Sequence, residues 1–135
     1  MMRVLVWAPV LAMGALLLTL ARPVRLQGDA PGSGTVLWLW AWQHGSVRFT
    51  NSVTGGPVNI TFGLLDGFDH FRMRTDEKTE DYYTGGTYRI NDRLGRQRTR
   101  SLAYCTVVGM TVTLGGRRFE LADDCLEIQL LWPPF

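Results

Sequence analysis

The sequence predicts an all-β fold: a small antiparallel β-sandwich or partly open barrel of about eight strands, preceded by a signal-peptide helix. Three observations support this prediction: runs of β-forming residues, Gly-Gly pairs between those runs, and an apolar segment confined to the N-terminus. Paired glycines supply the positive φ angles that tight hairpin turns require. After residue 21, no stretch shows a helical period.

Residues 1–21 have the features of a secretory signal peptide. Arg3 precedes an apolar run that ends in Thr19-Leu20-Ala21, with small residues at the positions that signal peptidase prefers. An uncleaved membrane anchor is the alternative, because the run reaches the lower limit of a membrane span. We expect cleavage and secretion, followed by a flexible Pro- and Gly-rich lead-in over residues 22–34 and a β-sandwich domain over residues 35–135.

The Gly-Gly pair at residues 55–56 predicts the first hairpin. A turn centred there places Phe49 opposite Phe62 and Val47 opposite Leu64. Both strands then turn an apolar face to one side and a polar face to the other, as a half-buried antiparallel pair requires.

A second hairpin is predicted at residues 85–86, with Tyr83 opposite Tyr88. Other runs of β-forming residues predict further strands. They cover residues 36–42, 68–74, 102–108 and 125–132.

Cys105 and Cys125 are the two cysteines, and they predict one disulfide bond, because an even cysteine count after a signal peptide indicates an oxidising compartment. The third Gly-Gly pair, residues 115–116, predicts a hairpin with Val112 opposite Phe119. Extended to the cysteines, a strict two-residue turn leaves them one position out of line. Either a β-bulge realigns them or the bridge joins neighbouring strands off the ladder.

Asn59-Ile60-Thr61 is an N-glycosylation sequon, and the hairpin register places Asn59 and Thr61 on the solvent face. We therefore expect Asn59 to be an acceptor in a host that attaches glycans.

Trp38, Trp40 and Trp42 alternate along one predicted strand, so their side chains share one face. We expect them to fill the core, because large aromatic side chains dominate core burial. The alternative is an exposed aromatic row that binds a glycan or sits at a membrane interface.

Two further segments are candidate binding sites. The basic loop carries Arg93, Arg96, Arg98 and Arg100, which can contact an acidic receptor or a sulfated glycan, or can be simply solvated. The apolar C-terminus, with Trp132 and Phe135 around Pro-Pro, can dock in a partner's groove or fold back over the sandwich.

Asp66, Asp69 and His70 form the one cluster of carboxylates and imidazole in the sequence. Such a group is compatible with a hydrolase or a metal site, but its spacing matches no established ligand pattern and Asp-Gly is a common turn. We therefore expect no catalytic site, no metal and no cofactor.

The net charge of +2 is too small to indicate nucleic acid or an anionic membrane as the main partner. The sequence thus predicts a secreted, glycosylated, disulfide-bonded and non-enzymatic protein that binds an extracellular or cell-surface protein partner. Two alternatives remain: membrane or glycan binding through the tryptophan row, and a hydrolase centred on Asp66, Asp69 and His70.

Overall fold

A computed structural model describes residues 2–134 and shows a β-sandwich of two antiparallel sheets. The nine strands are β1 (Ala21–Gly28), β2 (Thr35–Trp40), β3 (His44–Thr50), β4 (Pro57–Gly63), β5 (Asp69–Thr75), β6 (Ser101–Thr106), β7 (Met110–Leu114), β8 (Arg117–Leu121) and β9 (Asp124–Leu130). The helices are α1 (Met2–Leu20), α2 (Glu77–Thr84) and α3 (Ile90–Leu94). The prediction of a fold built mainly of antiparallel β-strands is confirmed, but α2 and α3 lie where the sequence analysis expected no helix.

One sheet has four strands in the order β2-β1-β9-β6, and the other has five in the order β5-β4-β3-β7-β8. Alternate residues of each strand point between the sheets, and these positions are apolar. The four-stranded sheet contributes Val24, Leu26, Leu37, Leu39, Leu102, Leu126, Ile128 and Leu130 to the core, and the five-stranded sheet contributes Val47, Phe62, Phe71, Val112, Leu114 and Leu121.

The first hairpin forms, but its register differs from the prediction. Phe49 pairs with Val58 and Val47 pairs with Ile60, four positions away from the expected partners. The cause is Asn51, whose Oδ1 accepts hydrogen bonds from the N–H groups of Val53 and Thr54, at 2.8 and 2.9 Å, and so closes a six-residue loop. Because the shift is an even number of residues, the apolar face remains apolar.

The third hairpin is confirmed in its predicted register, with Val112 opposite Phe119. The second is wrong, because Tyr83 lies in α2 and not in a strand. Asp76 caps the start of this helix by accepting a hydrogen bond from Thr79 N, and Gly85 ends it with a φ of 65°. The glycine therefore serves as a helix C-cap in place of a hairpin turn.

The structure corrects the prediction of a flexible lead-in over residues 22–34. Strand β1 covers residues 21–28 and pairs with both β2 and β9. Its core-facing residues Val24 and Leu26 are fully buried. Arg22 is also buried, and its guanidinium donates hydrogen bonds to the carbonyl oxygens of Leu64 and Leu65, both at 2.9 Å. The sandwich therefore begins at residue 21 and not at residue 35.

Helix α1 runs directly into β1, and its described apolar side chains, from Leu5 to Leu18, are exposed. Within residues 2–134, no helix combines the length and apolarity needed to cross a membrane.

The disulfide between Cys105 and Cys125 is present, and the two residues lie directly opposite each other on β6 and β9. The register of the β7–β8 hairpin does not determine their alignment, because that hairpin belongs to the other sheet. Neither sequence-based alternative describes this arrangement, because the bridge joins directly paired residues of the β6–β9 ladder and no bulge is needed.

Candidate functional site

The tryptophan ladder, which we define as Trp38, Trp40 and Trp42, lies on the outside of the four-stranded sheet. Trp38 is 54% exposed and Trp42 is 58% exposed, while Trp40 is half-buried. The expectation that the three rings fill the core is wrong. Leu37 and Leu39 occupy the inward positions of β2, and strand alternation then places the tryptophans outside.

The three rings contact one another along the ladder. Trp40 and Trp42 are stacked with their planes 6° apart and their centroids 5.3 Å apart. Trp38 meets Trp40 edge to face at a centroid distance of 6.1 Å. These mutual contacts restrict each ring in the free protein, so a ligand would meet a partly ordered aromatic surface.

Strand β1 supports the ladder from the side. Buried Pro23 lies opposite Trp38, and buried Ala21 lies opposite Trp40. The small side chains of these two residues leave the indole rings as the highest points of this part of the sheet. Exposed Arg25, opposite Val36, adds a positive charge next to the aromatic surface.

The outer edge of β2 carries unpaired backbone groups at Val36 and Trp38, whereas the N–H and C=O of Trp40 are bonded to Gln43. Leu26 accepts a hydrogen bond from Gly34 N towards β2, whereas Pro23 accepts one from Leu131 N towards β9. By the alternation of an antiparallel ladder, Val36, Trp38 and Trp40 direct their N–H and C=O groups away from β1. No strand pairs with this edge within the described part of the chain.

Two of the other sheet edges are shielded. On β5, Asn91 of α3 accepts a hydrogen bond from Met73 N at 2.7 Å and donates one to Met73 O at 3.1 Å, as a neighbouring strand would. Edge strand β8 presents the exposed charged residues Arg117, Arg118 and Glu120, which discourage strand pairing. The fourth edge, β6, carries small exposed side chains and the disulfide. Edge β2 thus differs from the others in combining open backbone groups with large aromatic side chains.

Of the two residues of the predicted C-terminal site, the structure describes Trp132 and not Phe135. Trp132 is 43% exposed and donates from Nε1 to Leu18 O, at 2.8 Å, so it contacts the end of α1. Pro133 is buried, and Phe135 lies outside the described residues.

The basic loop does not form a single arginine cluster. Arg93 lies over the ring of Tyr88, at 4.3 Å from its centroid, and Arg100 donates to Leu130 O at 3.1 Å. Arg96 and Arg98 are exposed and line a shallow cavity together with Asp66, Asp69 and His70. Two of the four arginines of the predicted basic loop therefore lie beside the predicted cluster of Asp66, Asp69 and His70.

Asp69 and His70 form a close pair at the start of β5. Asp69 is buried, and its Oδ1 lies 3.0 Å from Nδ1 of His70, an exposed residue with a positive φ of 52°. The hydrogen bond and charge of Asp69 raise the pKa of His70 above its usual range. The described residues contain no group of three or more histidine, cysteine or carboxylate side chains able to hold a metal ion.

The sequon lies on the outer face of the five-stranded sheet. Asn59 and Thr61 are half-buried on β4, and Asn59 pairs with Arg48 on one side and Arg74 on the other.

The sequence analysis missed two features of the sites: the open edge of β2 and the burial of Arg22. Strand order determines whether a strand lies at an edge, and no local pattern encodes it. Arg22 carried a weak signal, since it precedes Pro23 and Val24 in a segment with β-forming residues.

No protein family matches this chain, and comparisons with curated proteins and with solved structures found no similar protein.

Proposed function

We propose that this chain is a secreted, non-enzymatic protein that binds an extended segment of an extracellular protein partner along the outer edge of β2. The observation that carries the proposal is the coincidence, on one strand, of open backbone groups at Val36 and Trp38 with the exposed rings of the tryptophan ladder.

Strand addition uses both features. Backbone hydrogen bonds to an edge provide affinity for any extended peptide, and side chains beside the edge provide specificity. Tryptophan and arginine are the residues most often responsible for binding energy at protein interfaces. Trp38, Trp42 and Arg25 are exposed together at this edge.

Secretion is supported by three features of the chain. The disulfide between Cys105 and Cys125 requires an oxidising environment to persist. Apolar α1 ends at Leu20, and the domain begins with Ala21, so cleavage after Ala21 would leave β1 almost intact. The sequon at Asn59 faces outward. Cleavage there would remove α1 together with one buried residue, Ala21, and would keep the core residues Val24 and Leu26 of β1.

A glycan or a membrane surface is the second candidate ligand of the tryptophan ladder, because Trp38 and Trp42 are more than half exposed. Either ligand would contact indole rings and would make no use of the N–H groups at the strand edge. Removal of an edge N–H therefore separates these ligands from a paired peptide.

The experiment places a photo-activatable cross-linker at position 36 of the mature oxidised protein, and at position 117 on the edge strand β8 of the opposite sheet as a matched control. We expect an extracellular protein to be captured from position 36 and not from position 117. Val36→Pro should abolish its binding because proline lacks the N–H, whereas an unchanged affinity would contradict strand addition. A cross-link between two copies would show instead that the edge pairs with itself.

If Val36→Pro binds normally while Trp38→Ala does not, the ligand uses the rings alone, which favours the glycan or membrane alternative. Binding to a glycan array and to lipid vesicles then distinguishes these two.

A further inference from the structure

The outer face of the five-stranded sheet carries a concentrated positive charge. Residues that face outward on its five strands are almost entirely polar. We define the arginine face as Arg48, Arg72, Arg74 and Arg118, with Ser46, Asn59, Thr61, Thr111, Thr113 and Glu120 between them. Four arginines against one glutamate give this face a net positive charge larger than that of the whole chain.

Strand pairing sets the spacing of the arginines. Arg74, Asn59 and Arg48 lie side by side on adjacent strands, so the two arginines are about 10 Å apart across the sheet. Arg72 and Arg74 point the same way two residues apart on β5, a separation of about 7 Å. These arginines form two rows that run across the strands.

The charges of this face are not neutralised by the rest of the molecule. Within residues 2–134 the ion pairs are His70–Asp69 and a long one, at 3.9 Å, between Arg118 and Glu120. Arg48, Arg72 and Arg74 therefore have no carboxylate partner in the described structure, and all three are exposed. Such a field attracts a polyanion.

We propose that the arginine face binds a linear sulfated glycan. Guanidinium groups pair with sulfate oxygens through two hydrogen bonds, as they do with phosphate. The hydroxyl and amide groups of Ser46, Asn59 and Thr61 lie within the same rows, beside the arginines, where they can bond the hydroxyls of sugar rings.

The same face lacks what other polyanions require. Single-stranded nucleic acid binds through stacking of bases on aromatic rings, and the outward positions of these strands carry no phenylalanine, tyrosine or tryptophan. Insertion into an anionic membrane needs apolar side chains, and the exposed apolar residues of the described chain lie elsewhere. A sulfated chain needs only the charges and the polar groups that are present.

This site is separate from the tryptophan ladder, because the two lie on the outer faces of opposite sheets. It is therefore independent of the function proposed above. Asn59 lies within the arginine face, so a glycan attached there would cover the rows and oppose binding.

The test measures binding of a heparin oligosaccharide, by titration calorimetry over a range of salt concentrations, to the mature oxidised protein made in a host that attaches no N-glycans. Arg72→Ser/Arg74→Ser should weaken binding and lower the slope of log affinity against log salt by about two. Lys78→Ser/Arg89→Ser, with the same net charge, should keep the affinity of the unmodified protein. Equal weakening in both variants would overturn the proposal, since it would show an effect of net charge alone.

Desulfated heparin, a DNA oligonucleotide and phosphatidylserine vesicles complete the experiment. We expect none of them to bind as tightly as heparin. Tighter binding of the oligonucleotide or of the vesicles would assign the face to that polyanion and overturn the sulfated-glycan proposal, as would equal binding of the desulfated chain.

Discussion

Gln43 accepts a hydrogen bond from the backbone N–H of Trp40 through Oε1, at 2.9 Å, on the outer edge of β2. The side chain thereby takes the place of one donor-acceptor contact that a neighbouring strand would make. It leaves the equivalent groups of Val36 and Trp38 open. Gln43 thus limits the length of edge that another chain can join, which restrains non-specific pairing.

Gln43→Ala should therefore free the N–H of Trp40, while Trp40 O still accepts a hydrogen bond from the backbone N–H of residue 43 at 2.9 Å. We expect increased self-association of the protein, together with unchanged or tighter binding of its partner, because Trp40 N–H becomes available. Light scattering after size-exclusion chromatography measures the first effect. A variant that stays as monomeric as the wild type at high concentration would show that Gln43 has no protective role.

Trp38→Ala and Leu39→Ala should affect different properties, binding and stability, although the two residues are neighbours. Leu39 is buried in the core, so its truncation should lower the free energy of unfolding by about 2–5 kcal/mol. Trp38 is largely exposed, so its truncation should abolish partner binding with a smaller loss of stability. Chemical denaturation and a binding titration on both variants check the pair of expectations. A Trp38→Ala protein that unfolds as readily as Leu39→Ala would indicate a structural role.

This pair of residues also shows what the sequence could determine about the site. Alternation correctly placed Trp38, Trp40 and Trp42 on one face of a strand. Leu37 and Leu39 are equally apolar, so the pattern itself did not indicate which face points inward. The volume between the two sheets determines which face of β2 points inward, because the leucines fit there in one core cluster with Val47 and Leu114 of the opposite sheet.

The turns and helices also include some features that the local sequence determined and others that it did not. At Gly115-Gly116 the strands continue to the glycines, and the predicted register was correct. At Gly55-Gly56 the hydrogen bonds of Asn51 made the loop longer, and at Gly85 a capped helix replaced the hairpin. The N-cap Asp76 with Glu77 and Glu80 in the first turn is a helix signal that the sequence analysis missed.

Asn51→Ala should lower the free energy of unfolding by about 1–3 kcal/mol, because it removes the acceptor of the hydrogen bonds from the N–H groups of Val53 and Thr54. Asn51 is 6% exposed and also donates from Nδ2 to the hydroxyl of Tyr83, at 3.0 Å, which ties the loop to α2. Asn59→Ala is the matched control on the outer face of β4, where we expect a change within about 0.5 kcal/mol. Thermal or urea unfolding compares them, and equal stability of the two variants would remove the role assigned to Asn51.

The pair of His70 and Asp69 predicts a specific pH dependence. Because the hydrogen bond from His70 to Asp69 raises the pKa of the imidazole above 6.5 in the folded protein, the pair stabilises the fold fully below pH 6.5. That contribution is lost as the pH rises through the folded-state pKa. NMR titration of the His70 ring should show the raised pKa, and Asp69→Asn should lower it. A pKa unaffected by Asp69→Asn would contradict the assignment.

The leader proposal predicts the N-terminus of the secreted protein. Expression in cultured animal cells should release a chain that begins with Arg22, because cleavage after Ala21 preserves β1 from Arg22 onward. N-terminal sequencing of the protein from the medium provides the measurement. Retention of the intact chain on the cell membrane would contradict secretion and favour an anchor.

Amide hydrogen exchange along β2 tests the central claim most directly. In the free protein, the amides of Leu37 and Leu39, which pair with β1, should exchange slowly, while those of Val36 and Trp38 should exchange rapidly. In the complex with the partner captured at position 36, Val36 and Trp38 should become as protected as Leu37 and Leu39. Rapid exchange at Val36 and Trp38 in the saturated complex would contradict strand addition at this edge.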